Sequence, residues 1–390
     1  MMMKSVLLAS AAALVAVSSA QAADAIVAAE PEPMEYVRVC DAFGTGYFYI
    51  PGTETCLKIG GYVRFQTSFG SETFSFVEDR NDPEWYRTSN EVQKHGSSEG
   101  TSDWDSFSRA YVSFDAKSDT EYGTLTGFFA AEFNADNDAG GDSFIDVDEA
   151  YIQLGGLKAG FFYSWWDKGL NGETDDIGEN TEFNSISYLY DAGTWSAGIA
   201  IDELEGVTAK SNGLGVEGIV SASFGGVSFD LLGGYDSEVE EGAIRGLISA
   251  NVGPGVLQAA AIWSSDPNAY WSASEWSVAA SYRWNATEKL AITPGAQYFG
   301  SLRQFPYAFN QGYSGIVNWG GVGDLGNGWG NGDAWKIGLT ADYQITEGLA
   351  LRTTVDYTAV DYGSVNIGGE NFELGDDNRV SGFVRLQRNF

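Results

Sequence analysis

Residues Trp276–Trp284 read WSVAASYRW, and Trp335–Tyr343 read WKIGLTADY. In the first, Trp276, Val278, Ala280, Tyr282 and Trp284 share one parity. In the second, Trp335, Ile337, Leu339, Ala341 and Tyr343 do the same. Period-two alternation is the pattern of a strand with one apolar face. Here that face ends in a large aromatic at both ends. Eight residues at about 3.3 Å each span roughly 26 Å along the strand, or about 20 Å vertically at the tilt of a closed barrel. Aromatic girdles bound the apolar band of a membrane barrel, about 25 Å tall, at a comparable spacing. A soluble sandwich core has no reason to repeat it.

The same alternation extends outward along the chain. Leu57, Ile59, Val63 and Phe65 oppose Lys58, Arg64 and Gln66, with Tyr62 as an exception on the wet side. Arg109, Tyr111, Ser113 and Asp115 oppose Ala110, Val112 and Phe114; Glu149, Tyr151 and Gln153 oppose Ala150, Ile152 and Leu154. Turn residues fall near 118–119, 155–156, 191–193, 225–226, 253–255, 285–287 and 346–348. Most carry the Gly, Pro, Asn or Asp that tight turns favour. Longer polar connections lie between them at about 68–105, 134–145, 164–182, 202–213, 236–242, 265–273, 301–334 and 361–379. Short and long connections in strict alternation predict an all-β fold, a 16-stranded antiparallel transmembrane β-barrel over residues 57–390. A barrel of that size is wide enough to hold water.

The ends fit this reading. Lys4, the apolar run Val6 to Val17 and the small-x-small Ala20-Gln21-Ala22 form an export leader over residues 1–22. Apart from it, no apolar stretch approaches the roughly 18–20 residues of a membrane helix. Residues 23–56 are expected to form an N-terminal periplasmic segment. It carries Cys40 and, at its end, Cys56, the two cysteines of the chain. Close in sequence and in an oxidising compartment, they are expected to pair, worth about 3 kcal/mol by loop-closure entropy. Losing Lys4 with the leader takes the 21 basic residues to 20 against 54 acidic ones, a formal charge of about −34. Nucleic acid is therefore excluded as a partner. The chain ends on Phe390, on the apolar parity of Val384 and Leu386. Such a terminal aromatic looks like the signal read by the outer-membrane barrel assembly machinery.

Three blocks carry a family resemblance. Ala23–Arg64 (ADAIVAAEPEPMEYVRVCDAFGTGYFYIPGTETCLKIGGYVR) resembles the start of mature alphaproteobacterial general porins. Ala150–Gly160 (AYIQLGGLKAG) and Phe383–Phe390 (FVRLQRNF) resemble their fourth-to-fifth strand hairpin and closing strand. The resemblance implies a homotrimer in the outer membrane, in contact with its lipid and lipopolysaccharide, with passive passage of small hydrophilic solutes and ions. It also implies a disulfide between Cys40 and Cys56 and a third loop folded into each lumen. By strand count that loop is 164–182, with Asp167, Glu173, Asp175, Asp176 and Glu179 against Lys168. In such a family these carboxylates face basic wall residues across the pore; by parity the candidates are Lys58, Arg64, Arg109 and Arg385. Arg245, Arg283 and Arg352 share their inward parity, as do Glu132, Glu149, Glu217, Asp230, Glu275, Asp342 and Asp356. Net acidity suggests a modest cation preference, and neutralising Asp175 and Asp176 is expected to move it toward anions. The neighbouring Trp165 and Trp166 have no place in this scheme.

Other chemistries find little support. Asp136–Gly141 opens like a calcium loop but has Gly140 at a ligand position and no closing Glu. The Gly-rich tract Gly320–Gly332 lacks the period of a calcium-binding roll, and no metal or cofactor is expected. The single histidine, His95, has no nucleophile elbow or zinc spacing beside it, so an enzyme is not expected. The alternative function is a substrate-selective channel, for example one preferring sugars. It would show as a lumen stack of aromatics such as Tyr111, Phe128 and Tyr151, which otherwise are expected to pack the loop against the wall.

Overall fold

The computed structural model describes residues 38–70, 73–77, 86–90, 104–136, 144–179, 181–205, 213–303, 328–367, 370–373 and 376–390. The export leader, His95, most of the calcium-like motif and most of Gly320–Gly332 lie outside them.

Alternating sequence becomes alternating exposure. In Trp276–Trp284 the residues Trp276, Val278, Ala280 and Trp284 are exposed while Ser277, Ala279 and Ser281 are buried. The strand that contains them is one of sixteen forming a single antiparallel wall. In chain order these are β1 (Cys56–Gly70), β2 (Trp104–Thr120), β3 (Gly123–Ala135), β4 (Phe144–Leu154), β5 (Leu157–Tyr163), β6 (Glu182–Asp191), β7 (Trp195–Glu203) and β8 (Leu214–Phe224). They continue with β9 (Val227–Asp236), β10 (Glu241–Val252), β11 (Gly255–Ser264), β12 (Ser274–Asn285), β13 (Leu290–Leu302), β14 (Asp333–Thr346), β15 (Leu349–Asp361) and β16 (Asp376–Asn389). Each pairs with its neighbours in sequence, and β16 also pairs with β1 from Tyr62↔Asn389 to Gly70↔Ser381, closing the wall into a barrel. Closure removes every open edge, the condition for strands to cross lipid.

The seam is finished by the last residue. Phe390 N donates to Gly61 O at 3.0 Å and Gly61 N to Phe390 O at 3.3 Å. A Cβ at Gly61 would stand 2.1 Å from Tyr111 O and 3.1 Å from the Phe390 ring, so this crossing of β1, β2 and the terminus requires glycine. On the outer face, aromatic rings meet across strands: Trp276 with Tyr298 at 5.2 Å, Trp335 with Tyr357 at 5.2 Å, and Tyr190 with Trp195 at 5.4 Å. These rings are where the aromatic girdles of the sequence come to lie.

One turn differs from the sequence expectation. β2 does not stop at 118–119 but runs to Thr120. The Thr120 hydroxyl donates to Gly123 O at 2.6 Å and accepts from Tyr122 N at 3.2 Å, and Gly123 takes a φ of 108°. That local hydroxyl turn holds the reversal three residues further along.

Cys40 and Cys56 form a disulfide. The segment it anchors adds the two-residue strand Phe48–Tyr49 against Cys56 and Leu57, at the short-turn end of the barrel. Its Tyr47 hydroxyl donates to Asp115, and the Tyr47 ring lies under Lys58 at 5.8 Å and Lys117 at 5.4 Å. The segment therefore packs against the lumen side of β1 and β2.

Candidate functional site

Ser164 begins the third loop. Its N donates to Thr181 O at 2.7 Å, closing the loop's base, and its Oγ accepts from Trp166 N at 3.1 Å to cap the 3-10 turn Trp165–Asp167. From there the chain crosses the lumen to the far wall. Lys168 meets Asp230 on β9 at 2.5 Å, Asn171 N donates to Gln258 on β11 at 2.6 Å, and Glu173 N to Thr340 on β14 at 3.1 Å. Gly172, at φ 96°, passes so close to the wall that a Cβ would lie 3.1 Å from Thr293. Asp176 N donates to Gln297 on β13 at 2.6 Å. The loop thus lies inside the barrel, as the resemblance implied.

Arg245 holds the loop's base to β10. Fully buried, it donates to the carbonyls of Trp166 and Ile177 at 2.8 Å each and of Trp165 at 3.0 Å. Carbonyls that would otherwise be buried unpaired are thereby satisfied by a charge, one of the stronger kinds of hydrogen bond. The two tryptophans now have a place. Trp166 packs 5.9 Å from Tyr270, which also sits 5.8 Å from Phe183, and Trp165 lies over Gly198. Tyr270 belongs to the connection 265–273, which also turns inward: Tyr270 donates to Asp202 at 2.6 Å and Trp271 stacks on Phe299 at 6.3 Å. Two loops therefore fill the lumen beside β6–β15 with an apolar cluster.

The five loop carboxylates do not form one row. Glu173 pairs with Arg352, and with Arg385 at 3.5 Å; Asp176 pairs with Lys336 at 2.9 Å. Asp175 turns back into the loop and accepts from Leu170 N at 3.1 Å. Glu179 accepts from Ser272 N at 2.6 Å, tying the two inward loops together. Asp167 stays near the base, hydrogen-bonded to Thr181. Burial raises the carboxyl pKa of Asp167, Asp175 and Glu179, against the lowering effect of these hydrogen bonds; Glu179 is pushed up to about 7. Backbone N–H groups draw Asp175 and Glu179 inward, and of the five acids only Glu173 meets an expected basic partner among the described residues.

The basic side also differs in one member. Lys58 sits beside Tyr47, six residues and so roughly 20 Å along β1 from Arg64. It belongs to the short-turn end rather than to the height of the loop. Arg64, Arg109 and Arg385 do come together: Arg64 is opposite Arg109 and Gln387, and Arg385 is opposite Gln66 and Arg352. Arg109 pairs with Glu132 at 2.8 Å and donates to Asn134 at 2.7 Å. Arg352 and Arg283 share Asp342, at 2.5 and 2.6 Å. Lys336 was not singled out by sequence, although its place between the outward Trp335 and Ile337 was the available signal.

Inward aromatics line β1–β5. Tyr62 stacks on Tyr111 at 5.0 Å and Phe128 on Tyr151 at 5.1 Å. Arg64 covers Tyr62 at 4.6 Å, and Lys158 lies 3.9 Å from both Tyr151 and Phe162. Tyr62, exceptional in the apolar pattern, is thus a lumen residue. The rings pack on one another and on cations.

Sequence and structure comparisons agree with this geometry. The profile of a family described as "Porin subfamily" matches residues 24–383. A "Putative outer membrane protein y4fJ" of Sinorhizobium fredii is 61% identical over 386 residues, covering 99% of this chain and 98% of its own. "Outer membrane protein IIIA" of Rhizobium leguminosarum bv. viciae is 45% identical, over 92% and 90% of the two chains. "Porin Omp2b" of Brucella suis is 33% identical over the whole of both chains. Among solved structures, the outer membrane channel DcaP of Acinetobacter baumannii superposes with a TM-score of 0.54 at 10% identity, covering 88% of this chain and 99% of its own. OmpT of Vibrio cholerae in its trimer form gives 0.54 at 11%, covering 87% and 100%. At these identities the likeness is one of fold.

Proposed function

The chain belongs to the porin family and is an outer-membrane channel, and from that premise we propose a passive, non-specific diffusion pore whose narrowest part lies between the third loop and the wall at β15, β16, β1 and β2. The observation that carries this is the path of the loop. Its hydrogen bonds and ion pairs run to β8–β16, and among the described residues none reaches the lumen face of β1–β4. A water-filled passage is left along that uncovered side. Glu173, paired with Arg352 and Arg385 and within the field of Arg64, stands at its edge, so charges meet a solute at short range, where screening is weakest.

The sugar-selective alternative needs open aromatic faces for a pyranose to stack on. Tyr62, Tyr111, Phe128 and Tyr151 use theirs on each other, on Arg64 and on Lys158. This favours the non-specific reading. Single-channel recording in a planar bilayer tests it: an ohmic KCl conductance is expected, and saturation by one sugar at low concentration would sink it.

The remaining assignments follow the same reading. Residues 1–22 are the cleaved export leader, the disulfide segment and short turns face the periplasm, and the barrel assembly machinery reads Phe390. The porin works as a homotrimer embedded in outer-membrane lipid and lipopolysaccharide. OmpT, which shares the fold, has been solved as a trimer. Cross-linking in outer-membrane vesicles should give a limit at three chains; a limit at one would exclude the trimer.

A further inference from the structure

Where the barrel closes, β1 and β16 set two arginines and two glutamines in a block on the lumen face. Register places Arg64 opposite Gln387 and Gln66 opposite Arg385. Each glutamine carbonyl takes the Nε–H of the arginine facing it: Arg64 donates to Gln387 Oε1 at 2.8 Å and Arg385 to Gln66 Oε1 at 2.7 Å. The glutamine amides are held in turn. Gln66 Nε2 donates to Ser68 Oγ at 3.0 Å and Gln387 Nε2 to Asn389 Oδ1 at 2.8 Å. Beneath each guanidinium lies a ring, Tyr62 at 4.6 Å from Arg64 and Phe383 at 4.2 Å from Arg385.

This arrangement fixes what an arginine on a pore wall ordinarily leaves loose. The Nε–H is occupied and one face of the plane is covered, so the terminal Nη groups remain to meet a solute. The partner at Nε is neutral, so orientation is gained without cancelling charge. Among the described residues Arg64 has no carboxylate within ion-pair distance. Arg385 has one, Glu173 at 3.5 Å, and Glu173 also pairs with Arg352. A field across the pore needs only positive charge, which lysine would supply. A planar fork held in place matches the two oxygens of a carboxylate or phosphate.

We propose that Arg64 and Arg385 form a seat for the oxyanion group of small anionic solutes in transit, carboxylate or phosphate, with Gln66 and Gln387 as positioning residues. Glu173 is the internal carboxylate that competes for the seat. Its competition keeps the solute's stay short, as conduction requires: binding good enough to enter and weak enough to leave. The seat rests on the channel reading and makes a local anion preference inside a chain of formal charge −33.

The test uses the full chain in a planar bilayer, with inorganic phosphate replacing chloride at fixed ionic strength and neutral pH. Phosphate should reduce the single-channel current saturably. Arg64→Lys and Arg385→Lys, which keep the charge and lose the fork, should weaken that block about tenfold. Gln387→Leu should weaken it with the charge untouched, and Glu173→Gln should strengthen it by removing the competitor. Lys289→Gln, at an exposed turn, should leave it as it was. Equal block in the parent channel and both lysine variants would overturn the seat and leave the diffusion pore standing, as would a conducting channel indifferent to phosphate. A reconstituted chain that passes no KCl would overturn the pore and the seat together.

Discussion

Glu173 is the loop carboxylate on which ion preference should turn. It faces Arg352 and Arg385, whereas Asp175 two residues on is spent on Leu170 N inside the loop. Glu173→Gln should therefore move the permeability ratio toward anions, by up to about fivefold if one charge near 4 Å is worth about 1 kcal/mol in water. Asp175→Asn should leave the ratio where it was and loosen the loop. Reversal potentials in a KCl gradient separate the two, and a larger shift with Asp175→Asn would reverse their roles. Sequence showed the five acids to be on one loop and the arginines to be of one parity. It could not show which acid reaches which wall. Asp175 and Asp176 are neighbours of the same chemistry, yet one caps a backbone N–H of its own loop and the other meets Lys336 on the wall, and residue type does not distinguish them.

At the scale of elements, the strands were legible and the loop's path was not. Period-two alternation and Gly- or Asn-bearing turns are local, so the ends of β5, β9 and β12 fall within a few residues of their expected places. The third loop is fixed by partners far away in sequence: Arg245 on its carbonyls, and Ser272 of a second inward loop on Glu179. Nothing within 164–182 encodes those partners. The contact between the two loops has a pH consequence. The Glu179 pKa is raised from 4.5 to about 7 when docked, chiefly by burial. A raised pKa means docking is favoured by the protonated form: its contribution is fully present below about pH 4.5 and is lost as pH rises through about 7. Hydrogen exchange of the third-loop amides should be slower at pH 5 than at pH 8 after correction for intrinsic rates. Glu179→Gln should flatten that difference, and an unaltered pH profile in the variant would place the titrating group elsewhere.

For the whole molecule, the closing of the seam and the proposed assembly signal fall on one residue. The backbone of Phe390 completes the β16–β1 seam through its two hydrogen bonds with Gly61, while its ring, 61% exposed, lies on the lipid-facing side. A purely structural role would reside in the backbone, which alanine keeps. Phe390→Ala removes about one ring's worth of outward apolar contact, only part of the roughly 1.5–3 kcal/mol of a fully buried side chain. The purified variant should therefore refold in detergent to the same heat-modifiable barrel as the parent, with a slightly lower unfolding temperature. In cells the two should part company. If the assembly machinery reads the terminal ring, outer-membrane abundance of Phe390→Ala falls severalfold although the barrel it can form is intact, and Phe390→Trp restores it. Parallel losses in detergent and in cells would make the ring a structural element of the seam. Undiminished abundance in cells would deny it the role of signal.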